Sequence, residues 1–198
     1  VEFLSANMTN DMNNTDKLSV LIEEARYFGV EVLAPDVNES YVAFAPAREG
    51  TVIRFGLAAI KGVGEGAVES ILAARKEGGK INSLEEFCER IDSRAVTRKV
   101  LDSLIKSGAC DCFGETRSTM FARIDRAMAR AAGIVSDRQT KQETMFGMLE
   151  ERAEKKVEPE KQLTEWPQHE LLAHEKELLG FYVTGHPLTP FAPLLEPL

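Results

Sequence analysis

The residues best suited to chemistry on a charged ligand lie in the run Lys61-Gly62-Val63-Gly64-Glu65-Gly66-Ala67. Gly62 stands where a helix must leave the right-handed region, which glycine does without a Cβ penalty. Gly64 opens the next helix and keeps side-chain bulk off its first amides. With the positive end of the helix dipole, those amides form a site for a phosphate. The chemistry is grip rather than catalysis: N–H donors and a lysine ammonium around an anion. Glu65 opposes it, and a tight corner that only packs two helices would use the same glycines. A second cluster of the same kind surrounds Ser107-Gly108-Ala109, where Arg98, Lys99 and Lys106 lie near a glycine that follows a helical turn.

Other reactive residues fall into no working constellation. Cysteines number three, at 88, 110 and 112, an odd count with a Cys-x-Cys pair that fits neither a disulfide framework nor ordinary zinc spacing. They read as reduced thiols of a cytoplasmic protein. His169, His174 and His186 share no helical face with carboxylates, so a catalytic role is not expected. Paired aspartates spaced for a two-metal phosphoryl-transfer site are missing.

The elements that must position the glycines follow from apolar spacing. Leu57 to Ile60 reads as a short helix, and Gly64 onward as a second, with Ala67, Val68, Ile71 and Leu72 on its buried face. Ala67 is small enough to let the two close on each other. The whole run fits the helix-hairpin-helix pattern, which holds one nucleic-acid backbone without reading bases. Thr97 to Lys106 forms another helix with Val100, Leu101, Leu104 and Ile105 inward, and its Gly108 exit makes a degenerate second hairpin. Two such hairpins related by a pseudo-twofold would hold both strands of a duplex.

Around this lie more ordinary pieces. Residues 3–12 read as a helix tail, and Asn14-Thr15-Asp16 caps a helix through Leu18, Leu21, Ile22 and Ala25 that ends at Gly29. Strand candidates are 30–33, 41–44 and 51–55, with a turn over 46–50. Ser83 to Glu86 is a capping box for a helix burying Leu84, Phe87 and Cys88. From Thr116 to Ala132 a helix carries Arg117, Arg123, Arg126 and Arg130, either a phosphate-facing stripe or a solvated face. Residues 136–165 are polar and acidic, a linker, except for the apolar island 145–149. An amphipathic helix through Leu171, Leu172, Leu178 and Leu179 follows, and a proline-rich tail.

Composition sets the outer bounds. The 198 residues are 43% hydrophobic, enough for a core, and no apolar run approaches membrane length or a signal peptide. The start at Val1 predicts a piece of a longer protein. A net charge of −8 argues against nucleic acid on its face. Its distribution argues otherwise: residues 48–130 carry 15 Lys and Arg against 12 Asp and Glu, while the rest carries 9 against 20. The basic excess coincides with the hairpins.

With these pieces in order, the chain resembles the bacterial DNA polymerase III alpha family, the C-family replicative polymerases. The resemblance is carried by residues 27–40, 53–57, 60–66, 83–90, 104–109 and 175–188, among them Glu175-Lys176-Glu177-Leu178-Leu179-Gly180-Phe181-Tyr182-Val183-Thr184-Gly185-His186-Pro187-Leu188. It implies a mainly α internal fragment with a small N-terminal β element. Residues 1–46 would end the fingers and 47–133 form a tandem helix-hairpin-helix domain. A flexible linker at 134–165 would lead to 166–198, a helix entering an oligonucleotide-binding barrel. It implies duplex contact through Lys61, Gly62, Val63, Gly64, Gly66, Ala67, Arg98, Lys99, Lys106, Ser107, Gly108 and Ala109. It further implies a sliding-clamp motif at Gln142, Met145, Phe146 and Leu149, with contacts to other replicase subunits. The implied place is the bacterial cytoplasm, at the nucleoid. The magnesium ions and catalytic carboxylates of such a polymerase would lie upstream, leaving this fragment inactive alone. A helix-hairpin-helix repair enzyme is the rival enzyme reading, disfavoured because its catalytic aspartate and four-cysteine cluster are not supplied here; a helical interaction scaffold is the rival without DNA.

Overall fold

The structure, a computed structural model, describes residues 1–143, 162–185 and 187. Two short helices come first, α1 (Glu2–Asn10) and α2 (Thr15–Tyr27). The side chain of Asn14 caps α2, accepting from the Lys17 amide at 3.1 Å. A three-stranded sheet follows: β1 (Val32–Leu33), β2 (Ala45–Ala47) and β3 (Val52–Arg54), in the order β1-β3-β2. β3 runs parallel to β1 and antiparallel to β2.

The second strand along the chain, β2, differs from expectation. Residues 41–44 form no strand; the strand lies at 45–47, and the turn tightens to Arg48, Glu49 and Gly50, all at positive φ. The reason is where the backbone bonds go. The Tyr41 and Val42 carbonyls accept from the Leu57 and Ala58 amides at 2.8 and 3.1 Å, which fastens them to the hairpin instead of a ladder. Pro46 is tolerated because β2 is an edge strand.

Next come a 3-10 turn (Leu57–Ala59), α3 (Glu65–Gly78), α4 (Leu84–Arg90) and α5 (Arg98–Lys106). The first hairpin helix is thus one turn only. Ser83 Oγ accepts from the Glu86 amide at 3.1 Å, but the return bond of the capping box goes from the Asn82 amide to Glu86 Oε2 at 2.9 Å. Asn38 ties the loop before α4 with both ends of its amide, donating to the Ile81 carbonyl at 2.8 Å and accepting from the Ile81 amide at 2.9 Å.

A second 3-10 turn (Asp111–Phe113) leads into α6 (Arg117–Glu143), and the described chain resumes before α7 (Gln168–Leu179). The long helix α6 runs ten residues into the stretch read as linker at 134–165. Its buried residues Met120, Ile124, Ala127 and Ala131 keep the three-four spacing of one helical stripe. One apolar cluster runs through the described chain, from Leu4 and Met8 through Phe55 and Phe87 to Leu179 and Phe181. The expected division between 46 and 47 falls inside β2.

Candidate nucleic-acid interface

Gly62 has φ +89°, a conformation that other residues rarely adopt, and a Cβ there would sit 3.0 Å from Ser103 Oγ. Gly64 is different. Its φ of −85° and ψ of 160° are open to any residue, and a Cβ at 64 or 66 would meet nothing within 4 Å. Among the described residues neither strain nor packing accounts for glycine at those two positions, and the space over the loop is left clear of side chains.

The donors match that clearance. Val63 and Ala67 point inward and are buried. The Val63 amide donates to the Ile60 carbonyl, the Lys61 amide to the Leu178 carbonyl, and the Ala67 and Val68 amides to the Gly64 carbonyl, at 3.0 to 3.2 Å. Among the described residues, the amides of Gly62, Gly64, Glu65 and Gly66 have no acceptor, and all four residues are exposed. The Lys61 side chain is exposed beside them and forms no ion pair among the described residues.

The second cluster is built differently. Ser107, Gly108 and Ala109 are buried. Their amides donate at 3.0 Å to the Ser103, Ile105 and Leu104 carbonyls. Gly108, at φ +84°, packs under the Arg117 guanidinium. The helix that follows is no freer: the Glu165 carboxylate accepts from the Arg117 and Ser118 amides at 2.7 and 3.0 Å, capping α6 from 48 residues away. This turn therefore keeps no backbone donor for a phosphate, and the two hairpins are unequal. Of its cations, Lys99 is exposed and unpaired among the described residues. Arg98 bonds Asp125 at 2.7 Å, and Lys106 bonds Asp102 at 2.8 Å while lying 4.9 Å from the Phe121 ring centre.

The arginines of α6 mostly brace the fold. Arg117 is 3% exposed and bonds Asp111 at 2.7 Å and the fully buried Glu175 at 2.9 Å. Arg123 pairs with Glu85 and Glu115, and Arg130 with Glu89. The clamp residues cannot be placed alongside: Gln142 falls near the end of α6, and Met145, Phe146 and Leu149 lie outside the described residues, as does His186.

The thiols are quiet. Burial pushes Cys88 and Cys112 up to about 12, and Cys110 well above the ordinary thiol range. Among the described residues no group of three or more His, Cys, Asp and Glu side chains converges to hold a metal ion.

A helix-hairpin-helix motif family model matches residues 29–120, the stretch holding both glycine turns. A Vibrio cholerae protein named DNA polymerase III subunit alpha is 40% identical over 190 residues, 96% of this chain and 16% of its own length. Proteins of the same name from Borreliella burgdorferi and Escherichia coli K12 are 38% and 36% identical over 98% of the chain, each over 17% of its own length. The chain belongs to the DNA polymerase III alpha family, as one segment of it. It spans about a sixth of the length of these relatives. Among the described residues no helix is long and apolar enough to cross a membrane.

Sequence reasoning missed the return of the chain over the hairpins. Leu178 reaches Lys61 across 117 residues and Glu175 reaches Arg117 across 58. No local spacing signals such pairs. The only cue was Gly180 directly after Leu178-Leu179, marking where the returning helix stops.

Proposed function

We propose that this chain is the duplex-gripping segment of a bacterial replicative DNA polymerase. The reading rests on the four unpartnered amides at Gly62, Gly64, Glu65 and Gly66, cleared of side chains by Gly64 and Gly66 and flanked by Lys61. Phosphate oxygens would accept from those amides, and the dipole of α3 and the Lys61 ammonium would favour the same charge. Hydrogen bonds to a charged group contribute about 1.5–3 kcal/mol each. Nothing at the loop reads a base edge, so the grip is independent of sequence, as a protein moving along its template needs. Lys99, with Arg98 and Lys106, would add charge from the second cluster.

In the longer protein this grip would hold duplex behind a magnesium-dependent centre that extends a primer. Gln142, Met145, Phe146 and Leu149 would dock a sliding clamp: the apolar pair fills a pocket, the glutamine amide hydrogen-bonds its rim. Tethering to a clamp raises the local concentration of polymerase at the primer end, so a weak peptide contact suffices.

The test is fluorescence anisotropy of a labelled primer-template duplex against wild type and Gly64→Val. The backbone at 64 accepts valine and no neighbour is crowded, so the variant folds. A β-branched side chain then stands over the free amides. Expected are a roughly tenfold or greater loss of affinity and wild-type binding that weakens steeply with salt as counterions are released. Equal affinity for both proteins, or binding indifferent to salt, would leave a hairpin that only packs.

A further inference from the structure

The hairpin loop is not held by the hairpin alone. The Lys61 amide, one residue before Gly62, donates to the Leu178 carbonyl at the end of α7 at 3.0 Å. That end is itself seated on three other parts of the molecule. Gly180, at φ +83°, lies so close to α2 that a Cβ would come within 2.7 Å of the Thr15 carbonyl oxygen. Phe181 packs against Phe55, just past β3, with ring centres 5.5 Å apart. Glu175 takes Arg117 of α6 on one oxygen and the Val183 and Thr184 amides, at 2.7 and 3.0 Å, on the other. Lys176 Nζ closes the turn by donating to the Gly180 carbonyl at 2.8 Å.

We propose that residues 175–184 are a positioning strap for the nucleic-acid grip: through the Leu178 carbonyl they fix the backbone of Lys61 and Gly62, and so set where the free amides of Gly62 to Gly66 point. The inference rests on the DNA-gripping reading above. Gly180 and the Leu178 main chain touch no ligand; they act through Lys61. Four donors bind one phosphate group well only when their directions are fixed beforehand, since each degree of freedom left loose must be frozen on binding.

The experiment uses the full chain with Gly180→Ala, which pushes the strap off Thr15, and the milder Lys176→Ala, which removes only the closing bond. Two readouts are taken: amide hydrogen exchange at Lys61, and duplex affinity in a double-mutant cycle with Gly64→Val. Expected are about tenfold faster exchange at Lys61 with protection in α4 unchanged, and a several-fold affinity loss that disappears when Gly64→Val is already present. A merely structural role predicts faster exchange throughout and additive losses. Unchanged Lys61 exchange in both variants overturns the proposal, as does an affinity loss that adds fully to that of Gly64→Val. If wild type binds no duplex, the DNA-gripping reading fails, while Lys61 exchange still decides whether the strap sets the loop.

Discussion

At the residue scale, the glycines divide by what each is for. Gly62 is required by its own backbone, whereas among the described residues nothing requires Gly64 or Gly66, and that contrast is what makes Gly64→Val a clean probe. The sequence pattern found all three but could not rank them, because strain and clearance look alike in a string of letters. A second residue-scale expectation concerns His174. Burial, and then the positive charge of Lys106, hold its imidazole below the ordinary 6.5. Its ring lies 5.0 Å from Trp166, the one tryptophan of the chain. Between the folded value and 6.5 the unfolded chain binds more protons than the folded one. Stability attributable to His174 is therefore full above 6.5, falls as the pH drops below it, and levels off once the folded imidazole is protonated. Trp166 fluorescence should titrate with a midpoint below 6.5 in wild type and not at all in His174→Gln; a midpoint at or above 6.5 would contradict this account.

At the element scale, helices α2 to α5 were legible in the sequence because their caps and apolar stripes are local. Asn14 and Ser83 cap as their residue types dictate, and Val100, Leu101, Leu104 and Ile105 are all buried. β2 lies later than expected because residues 41–44 have strand-like side chains but the Tyr41 and Val42 carbonyls are spent on the 3-10 turn. Nor could the second hairpin be judged: Arg98, Lys106 and Gly108 have the right types, while the carboxylate that closes α6 comes from Glu165, far along the chain. Ion pairs between elements also differ in worth. Arg117 and Glu175 are 3% and 0% exposed, whereas Arg98 and Asp125 are 50% and 73% exposed. Removing one partner of a buried pair costs about 3–5 kcal/mol, and an exposed pair contributes about 0.2–1 kcal/mol. Glu175→Ala should lower unfolding free energy by about 3 kcal/mol, the low end because Asp111 still faces Arg117. Arg98→Ala should change it by less than about 1 kcal/mol. Urea denaturation of the two variants checks the ordering, and equal losses would refute it.

At the scale of the whole molecule, one core runs from α1 to the residues after α7, with only the edge strand β2 outside it among the described elements. The rings of Phe44, Phe55 and Phe181 pack across the expected division at 46, with centres 4.6 and 5.5 Å apart. A shared core unfolds as a unit. Thermal unfolding followed by far-ultraviolet circular dichroism and by Trp166 emission should give coincident single transitions; two separated transitions would contradict a shared core. The same arrangement shows how a net charge of −8 is compatible with the proposed phosphate grip: acidic groups pair with the bracing arginines, while Lys61 and Lys99 are left to the surface.

Glu165 and Phe181 also bear on how the protein is made. Synthesis runs from the N-terminus, so the ribosome has released the hairpins well before it reaches the carboxylate that caps α6 and the ring that covers Phe55. Until then the nascent chain shows an uncapped helix start and an open apolar face, the kind of surface that chaperones hold and that aggregates when crowded. Completion of this region is thus late and abrupt, with the hairpins locking only when residues some sixty positions after Arg117 arrive.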